Sequence, residues 1–304
     1  MLFATPSLPS ATQRKLTALD ALHAQLAAAL AALTPSRRSA MSRVARATAV
    51  AASTSIEGFR VAPSEALALL AGEVAPDPDQ PAQLAVENYA RAIEHVDILS
   101  SDPSFRWFDR VLLDLHHDAC SFQRDKDPGL WRTSPVGVID GAGRVVYQAP
   151  PADQVPQLMH EIVEWLDHGD RDAHVVVRAA MAHLHVVSVH PFKDGNGRIS
   201  RIVQSLVLAR DGLLNPGFSS IEQYLDEHTQ AYYEQLQHAH GSAYGQRCDA
   251  GDWVAFCIEA HLDQARRRLA QTREAPPRYV AGGEGPSDLG RAAERHLRQL
   301  LAGS

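Results

Sequence analysis

The sequence predicts an all-α fold broken by a single β-hairpin. Two observations carry this expectation. Apolar residues recur at helical spacing along most of the 304 residues. Only residues 128–151 show the β-branched runs around a Gly-rich turn that mark a hairpin.

Taken in order, Leu16, Leu19, Leu22, Leu26 and Leu30 form a helical stripe over residues 11–33. Thr34-Pro35-Ser36 breaks it. A second helical stretch, 37–56, ends at Glu57-Gly58, where Gly58 can serve as the C-terminal stop. Pro63-Ser64-Glu65 opens a short helix. Residues 73–82 form a Pro/Asp-rich connector and the best internal boundary. Helices are expected near 83–99 and 105–122. Val136 to Ile139 and Val145 to Tyr147 flank Asp140-Gly141-Ala142-Gly143 as a hairpin that Pro150-Pro151 ends. Helices resume at 153–167 and 171–189. The second is apolar nearly all round, so a buried strand is its rival, and its length favours helix. Ile199, Ile202, Val203, Leu206 and Val207 give a clean helical stripe. Residues 218–240 and 252–274 read as helical, 275–286 as a linker and 287–301 as a last short helix.

Composition narrows the function classes. The length is worth roughly two domains at about 150 residues each, and 45% of residues are hydrophobic. The net charge is −7 with scattered basic residues, which argues against a nucleic-acid sleeve or a polybasic membrane anchor. Cys120, Cys248 and Cys257 form no CxxC pair, so neither a zinc ribbon nor a disulfide framework is expected. The N-terminus has no signal-peptide core, and the Ala/Leu run at 26–33 is far short of the ~20 residues of a membrane span. A cytoplasmic protein with an Ala/Arg/Asp-heavy, bacterial look is expected.

The chemistry concentrates in His190-Pro191-Phe192-Lys193-Asp194-Gly195-Asn196-Gly197-Arg198-Ile199-Ser200-Arg201. Gly195 and Gly197 free the backbone for an anion nest at a helix N-terminus, which favours phosphate. Arg198 and Arg201 are three apart and project from one helical face. Asp194 is a candidate Mg²⁺ carboxylate. His190 is a candidate general base near neutral pH.

This segment resembles the signature of the Fic family, His-x-Phe-x-(Asp/Glu)-Gly-Asn-Gly-Arg-x-x-Arg, at every fixed position. The resemblance implies a helical core at 83–245 with a hairpin flap, between an N-terminal region at 1–82 and an extension at 246–304, and the transfer of AMP from ATP to a Ser, Thr or Tyr hydroxyl of a target protein. It implies that His190 takes the hydroxyl proton and Asp194 binds Mg²⁺. Gly195, Asn196 and Gly197 would ring the α-phosphate, Arg198 and Arg201 would engage the outer phosphates, and Phe192 would anchor the loop. The hairpin Val136, Gly137, Val138 and Ile139 would dock the target by strand addition. Tyr232 and Tyr233 resemble residues beside the adenine pocket, with plain core aromatics as the alternative. His228 stands where an Asn often precedes the Tyr pair.

Ser53-Thr54-Ser55-Ile56-Glu57-Gly58 is similar to the family's inhibitory pattern, (Ser/Thr)-x-x-x-Glu-(Gly/Asn). The resemblance implies a bidentate ion pair between Glu57 and Arg201, with Ser53 steadying Glu57. Members often dimerise, and a homodimer is left open here. The same site removing AMP, or moving another phosphate-containing group, is the alternative. A P-loop or Rossmann binder is disfavoured, because no Gly-Lys-(Ser/Thr) ending or GxGxxG after a strand is present. A DNA-binding regulator is the remote alternative. His183, His185 and His190 lack the HExxH or Cys partners of a zinc site. His116-His117 are expected to pack or hydrogen-bond, Arg266-Arg267-Arg268 to be a solvated face, and Cys120 and Cys257 to be buried and inert.

Overall fold

A computed structural model describes residues 2–211, 213, 216–245 and 249–273. Among them the chain is helical apart from one two-stranded hairpin. The elements are α1 (Ser10–Ala31), α2 (Pro35–Ile56), α3 (Pro63–Leu70), α4 (Pro81–Ser101), α5 (Asp109–Cys120), β1 (Gly137–Ile139), β2 (Val145–Gln148), α6 (Val155–His168), α7 (Val175–Val189), α8 (Asn196–Arg210), α9 (Pro216–Ser219), α10 (Glu222–Glu227), α11 (Thr229–His240) and α12 (Gly251–Arg273). Cys248, the linker 275–286 and the helix 287–301 lie outside the described residues.

The helix ends follow local chemistry. Thr34 caps α2, accepting from Arg37 N at 3.3 Å, and Pro35 fills the first helical position. At the other end Gly58 has φ 87°. Gly58 N donates to Ser55 O and Phe59 N to Thr54 O, the two bonds of a Schellman stop. That reversal aims Glu57 and Phe59 back at α8.

Helix α7 is the structural centre. Val176 to Val189 are all buried, and α6, α8, α11 and α12 pack around it. Burial on every side is why it lacks an amphipathic stripe, and a change such as Leu184→Ala would cost about 2–5 kcal/mol. Trp253 on α12 is fully buried and its indole donates to Ala180 O of α7 at 2.8 Å. Leu16 and Leu19 of α1, Val50 of α2 and Val86 of α4 belong to the same core cluster as α7. Apolar side chains from both sides of the 73–82 connector therefore share one core.

Two expectations need correction. The stretch 218–240 is three helices, because Ser220-Ile221 and His228 (φ −121°, ψ 36°) leave helical geometry. The Arg266–Arg268 run is not uniformly solvated. Arg267 pairs with Glu227 and Asp263, whereas Arg268 is 3% exposed, and burial lowers its pKa to about 10. Among the described residues, no helix is long and apolar enough to cross a membrane.

Candidate active site

Helix α7 ends at His190, which takes a left-handed conformation (φ 51°, ψ 58°) unusual for a residue with a side chain. Its backbone N–H still bonds Val186 O, and its Nδ1 lies 2.8 Å from Val187 O. A carbonyl only accepts, so Nδ1 carries the proton and Nε2 keeps its lone pair. Burial lowers the His190 pKa, so the ring is neutral at neutral pH.

The loop after His190 is locked by reciprocal bonds. Asn196 Oδ1 accepts from Phe192 N and Asn196 Nδ2 donates to Phe192 O, both at 2.9 Å. The Asn196 side chain is thus spent inside the loop, leaving backbone N–H groups to form the anion site implied for 195–197. Phe192 is fully buried and stacks on His116, ring centres 3.5 Å apart and nearly parallel. His116 also bonds Asp194 O at 3.0 Å and accepts from Gly129 N. Burial lowers its pKa to about 4.

Gly195 caps α8 at φ 75°. A methyl there would strike Cys120 Sγ, whose thiol burial pushes up to about 12, well out of reactive range. A methyl on Gly197 would strike Glu57 Oε1. The carboxylate of Glu57 therefore lies directly against the first turn of α8, whose leading N–H groups have no intrahelical acceptor and favour an anion.

The two arginines of α8 are both buried. Arg198 donates to Gln123 Oε1 at 2.7 Å, lies 3.4 Å from Asp194 Oδ2, and sits over the rings of Phe59 and Phe122. Gln123 Nε2 in turn donates to Asp194 Oδ2 at 2.6 Å, and Gly195 N to Asp194 Oδ1 at 2.7 Å. Arg201 donates Nε–H to Ser53 Oγ at 2.7 Å, and Nη2 to Ser53 O at 3.0 Å and Glu57 Oε1 at 2.8 Å. Burial opposes its charge, but Glu57, Tyr232 and Tyr89 outweigh that and raise its pKa.

These contacts amend the expected pair. Glu57 and Arg201 meet through one carboxylate oxygen rather than in a bidentate fork, because Ser53 already takes two of the donors. Ser53 steadies Arg201, not Glu57. Tyr232 is 1% exposed, and its hydroxyl lies 3.0 Å from His183 Nε2 and accepts from Arg201 Nη1 at 3.5 Å. Tyr233 is 46% exposed and donates to Ile56 O at 3.3 Å. Gly58 shapes the turn.

The hairpin stands beside this loop. Gly137 pairs with Gln148, Val138 with Tyr147 and Ile139 with Val145, with a bulge between Val138 and Ile139. Val136 precedes the strand and accepts from Ala149 N. Side chains on Gly137 are barred, since a Cβ there would lie 2.9 Å from Tyr147 O. Ile139 is exposed, while Tyr147 is buried and donates to Ser188 O at 2.6 Å.

The sequence motif brought His190, Asp194, Gly195–Arg198 and Arg201 together as expected. Sequence reasoning missed Gln123, Arg132 and Phe59. A Gln or Arg outside a motif carries no signal of its own. Phe59 packs on Phe122 and under Arg198, contacts distant in sequence that its place after a Gly stop does not announce.

Residues 107–208 match the Fic/DOC family. The protein adenylyltransferase fic-1 of Caenorhabditis elegans is 33% identical over 133 residues, 39% of this chain and 25% of that protein. The protein of the same name from Caenorhabditis briggsae is 29% identical over 230 residues, 69% of this chain and 41% of its own length. The chain thus spans well under half of these relatives. A solved Fic family protein from Desulfovibrio desulfuricans G20 superposes with a TM-score of 0.74 at 25% identity, covering 95% of this chain and 86% of that one. The matched segment holds the whole loop from His190 to Arg201, and residues 107–208 are a domain of the Fic/DOC family within a chain that has the fold of a solved Fic protein.

Proposed function

We propose that this chain transfers AMP from ATP to a hydroxyl side chain of a protein, and that Glu57 holds it in check. The observation that carries the reading is one of placement. A neutral His190 with its Nδ1 pinned stands at one end of a short loop. The N-terminus of α8, which has no side-chain cap, and two buried arginines stand at the other. Relatives named protein adenylyltransferases match part of this chain.

In this reading, the α-phosphate of ATP lies against the N–H groups of Gly197 and its neighbours, with Arg198 and Arg201 on the outer phosphates. His190 Nε2 takes the proton of the target hydroxyl. The hydroxyl oxygen forms its bond to the α-phosphorus as the bond to the bridging oxygen breaks, and pyrophosphate leaves. Catalysis comes from positioning and charge stabilisation.

The residues fit Mg²⁺ at Asp194. Its side chain is 37% exposed, and among the described contacts Oδ1 accepts only from Gly195 N, leaving an acceptor position open. Nucleotide-bound Mg²⁺ needs only one or two carboxylates, with phosphate oxygens and water completing its shell. When bound, it neutralises phosphate charge. Among the described residues no group of three or more His, Cys, Asp or Glu is placed to hold a metal ion, so phosphate oxygens and water would supply most of the shell of an ion at Asp194.

Glu57 inhibits by charge and place. Its carboxylate lies against Gly197 and takes a donor of Arg201, so an outer phosphate meets an anion where it needs a cation. The outer edge of β1, from Val136 to Ile139, would receive an extended target segment by strand addition.

The test is intact mass spectrometry of wild type, Glu57→Gly and His190→Ala after incubation with Mg²⁺ and ATP. The expected result is a gain of one AMP in Glu57→Gly, little in wild type and none in His190→Ala. A gain of any other mass, or an undiminished gain in His190→Ala, would overturn the reading.

A further inference from the structure

The carbonyls at the end of α7 can be accounted for one by one. Val186 O and Val187 O are taken by His190 itself, through its N–H and Nδ1. The next four are taken by residues at or beside the hairpin. Ser188 O receives the Tyr147 hydroxyl at 2.6 Å. Val189 O, His190 O and Pro191 O all receive Arg132, from Nη2 at 3.4 Å, Nε at 2.7 Å and its backbone N–H at 2.9 Å.

The same guanidinium holds the hairpin. Nη1 donates to Ser134 O at 3.1 Å, before β1, and Nη2 to Pro150 O at 2.6 Å, after β2. Arg132 is 2% exposed and, among the described residues, forms no ion pair. A charged group without a counter-ion is costly to bury unless its donors are met, and here main-chain carbonyls meet them. Such an arrangement constrains position. It caps a helix end that would otherwise leave buried carbonyls bare, and it holds His190 in the left-handed conformation the backbone alone disfavours.

We propose that Arg132 is a positioning residue that joins the hairpin and the His190 loop into one rigid unit, fixing the distance from a hydroxyl docked on β1 to His190 Nε2. This rests on the transfer reading above. A planar five-donor fork suits the task and a lysine does not fully replace it.

The test uses the Glu57→Gly protein as parent, with Arg132→Gln and Arg132→Lys added. Protein-bound AMP, free AMP and ATP affinity are measured for each. The expected result for Arg132→Gln is a loss of transfer on the order of a hundredfold, the scale of a small misplacement of reacting groups. ATP affinity stays unchanged, the ratio of protein-bound to free AMP falls, and Arg132→Lys recovers part of the rate. A ratio is insensitive to the folded fraction, so an unchanged ratio, or ATP affinity falling in step with transfer, would overturn the proposal. Hydrogen exchange gives a readout that needs no activity. In Arg132→Gln, amides of 136–148 and 186–192 should exchange faster by the same factor while α12 is unaffected, and a change in only one segment would sink the coupling. A parent that transfers no AMP yet shows paired exchange would count against the function and leave the coupling standing.

Discussion

The two halves of the site are built from different parts of the chain. Around Ser188, His190, Phe192 and Asp194, the partners Arg132, His116, Gln123 and Tyr147 all come from residues 116–147 of the Fic domain. Around Arg201, the partners Ser53 and Glu57 come from α2 and its end, nearly 150 residues away in sequence. None of those four bonds involves α2. In the second half, on the proposed transfer reading, the bonds that Ser53 and Glu57 make to Arg201 are those a phosphate would replace. Substitutions in the first half should therefore lower activity, and those at the α2 contact should raise it while lowering stability.

The largest expected effect is on the first side. His190→Ala removes the proposed base, and transfer should fall by about 10² to 10⁴, the usual worth of a positioned general base. Measured in the Glu57→Gly background, a smaller loss would mean that the proton leaves by another route. The second effect has the opposite sign. Glu57→Gly should raise transfer about tenfold or more, since freeing one arginine for phosphate is worth at least one charge-assisted bond, about 1.5–3 kcal/mol. The melting temperature should drop, because Arg201 stays buried with one partner fewer. Higher activity without lower stability would mean that Glu57 blocks by bulk alone.

Much of the first half was legible because its residues are neighbours in sequence. A loop entering a helix places residues 190 to 201 together without help from tertiary structure. The helical core and the hairpin were legible from periodicity for the same reason. What joins the loop to the rest was not. Arg132 and His190 are 58 residues apart and Gln123 and Asp194 are 71 apart, and no local pattern announces such pairs. Glu57 was legible by resemblance, yet its single-oxygen geometry was not, since that depends on Ser53 claiming two donors of Arg201. The helix break at His228 and the burial of Arg268 were hidden because both sit in sequences that favour helix and exposure.

Acid should separate folded from unfolded chain through both halves. His116 belongs to the first and His183, beside Tyr232, to the second, and burial lowers them to about 4 and about 3. A folded pKa below the unfolded value near 6.5 means that the unfolded chain takes up protons first as pH falls. The stability is fully present above about pH 6.5 and is lost from there down to the folded pKa. For His116 alone the loss is about 3 kcal/mol between pH 6.5 and 4. Thermal melts across that window should show a steep fall, and His116→Gln should remove one proton's worth of the slope. A melting temperature flat between pH 6.5 and 4 would mean that these rings reach water readily.

The smallest effect is the most discriminating one. Tyr233 donates to Ile56 O at 3.3 Å, one residue before Glu57, from a half-exposed position. A neutral hydrogen bond is worth about 0.5–1.5 kcal/mol net, and this long, wet one belongs at the low end. If the bond holds the end of α2, Tyr233→Phe should raise transfer about two- to threefold in wild type. It should do nothing in Glu57→Gly, where the restraint has already gone, so the two changes would be non-additive in a double-mutant cycle. If Tyr233 instead borders the nucleotide, losing its hydroxyl should weaken ATP binding equally in both backgrounds. The α2 contact would then rest on Ser53 and Glu57 alone, and the contrast between the two halves would narrow to a single ion pair.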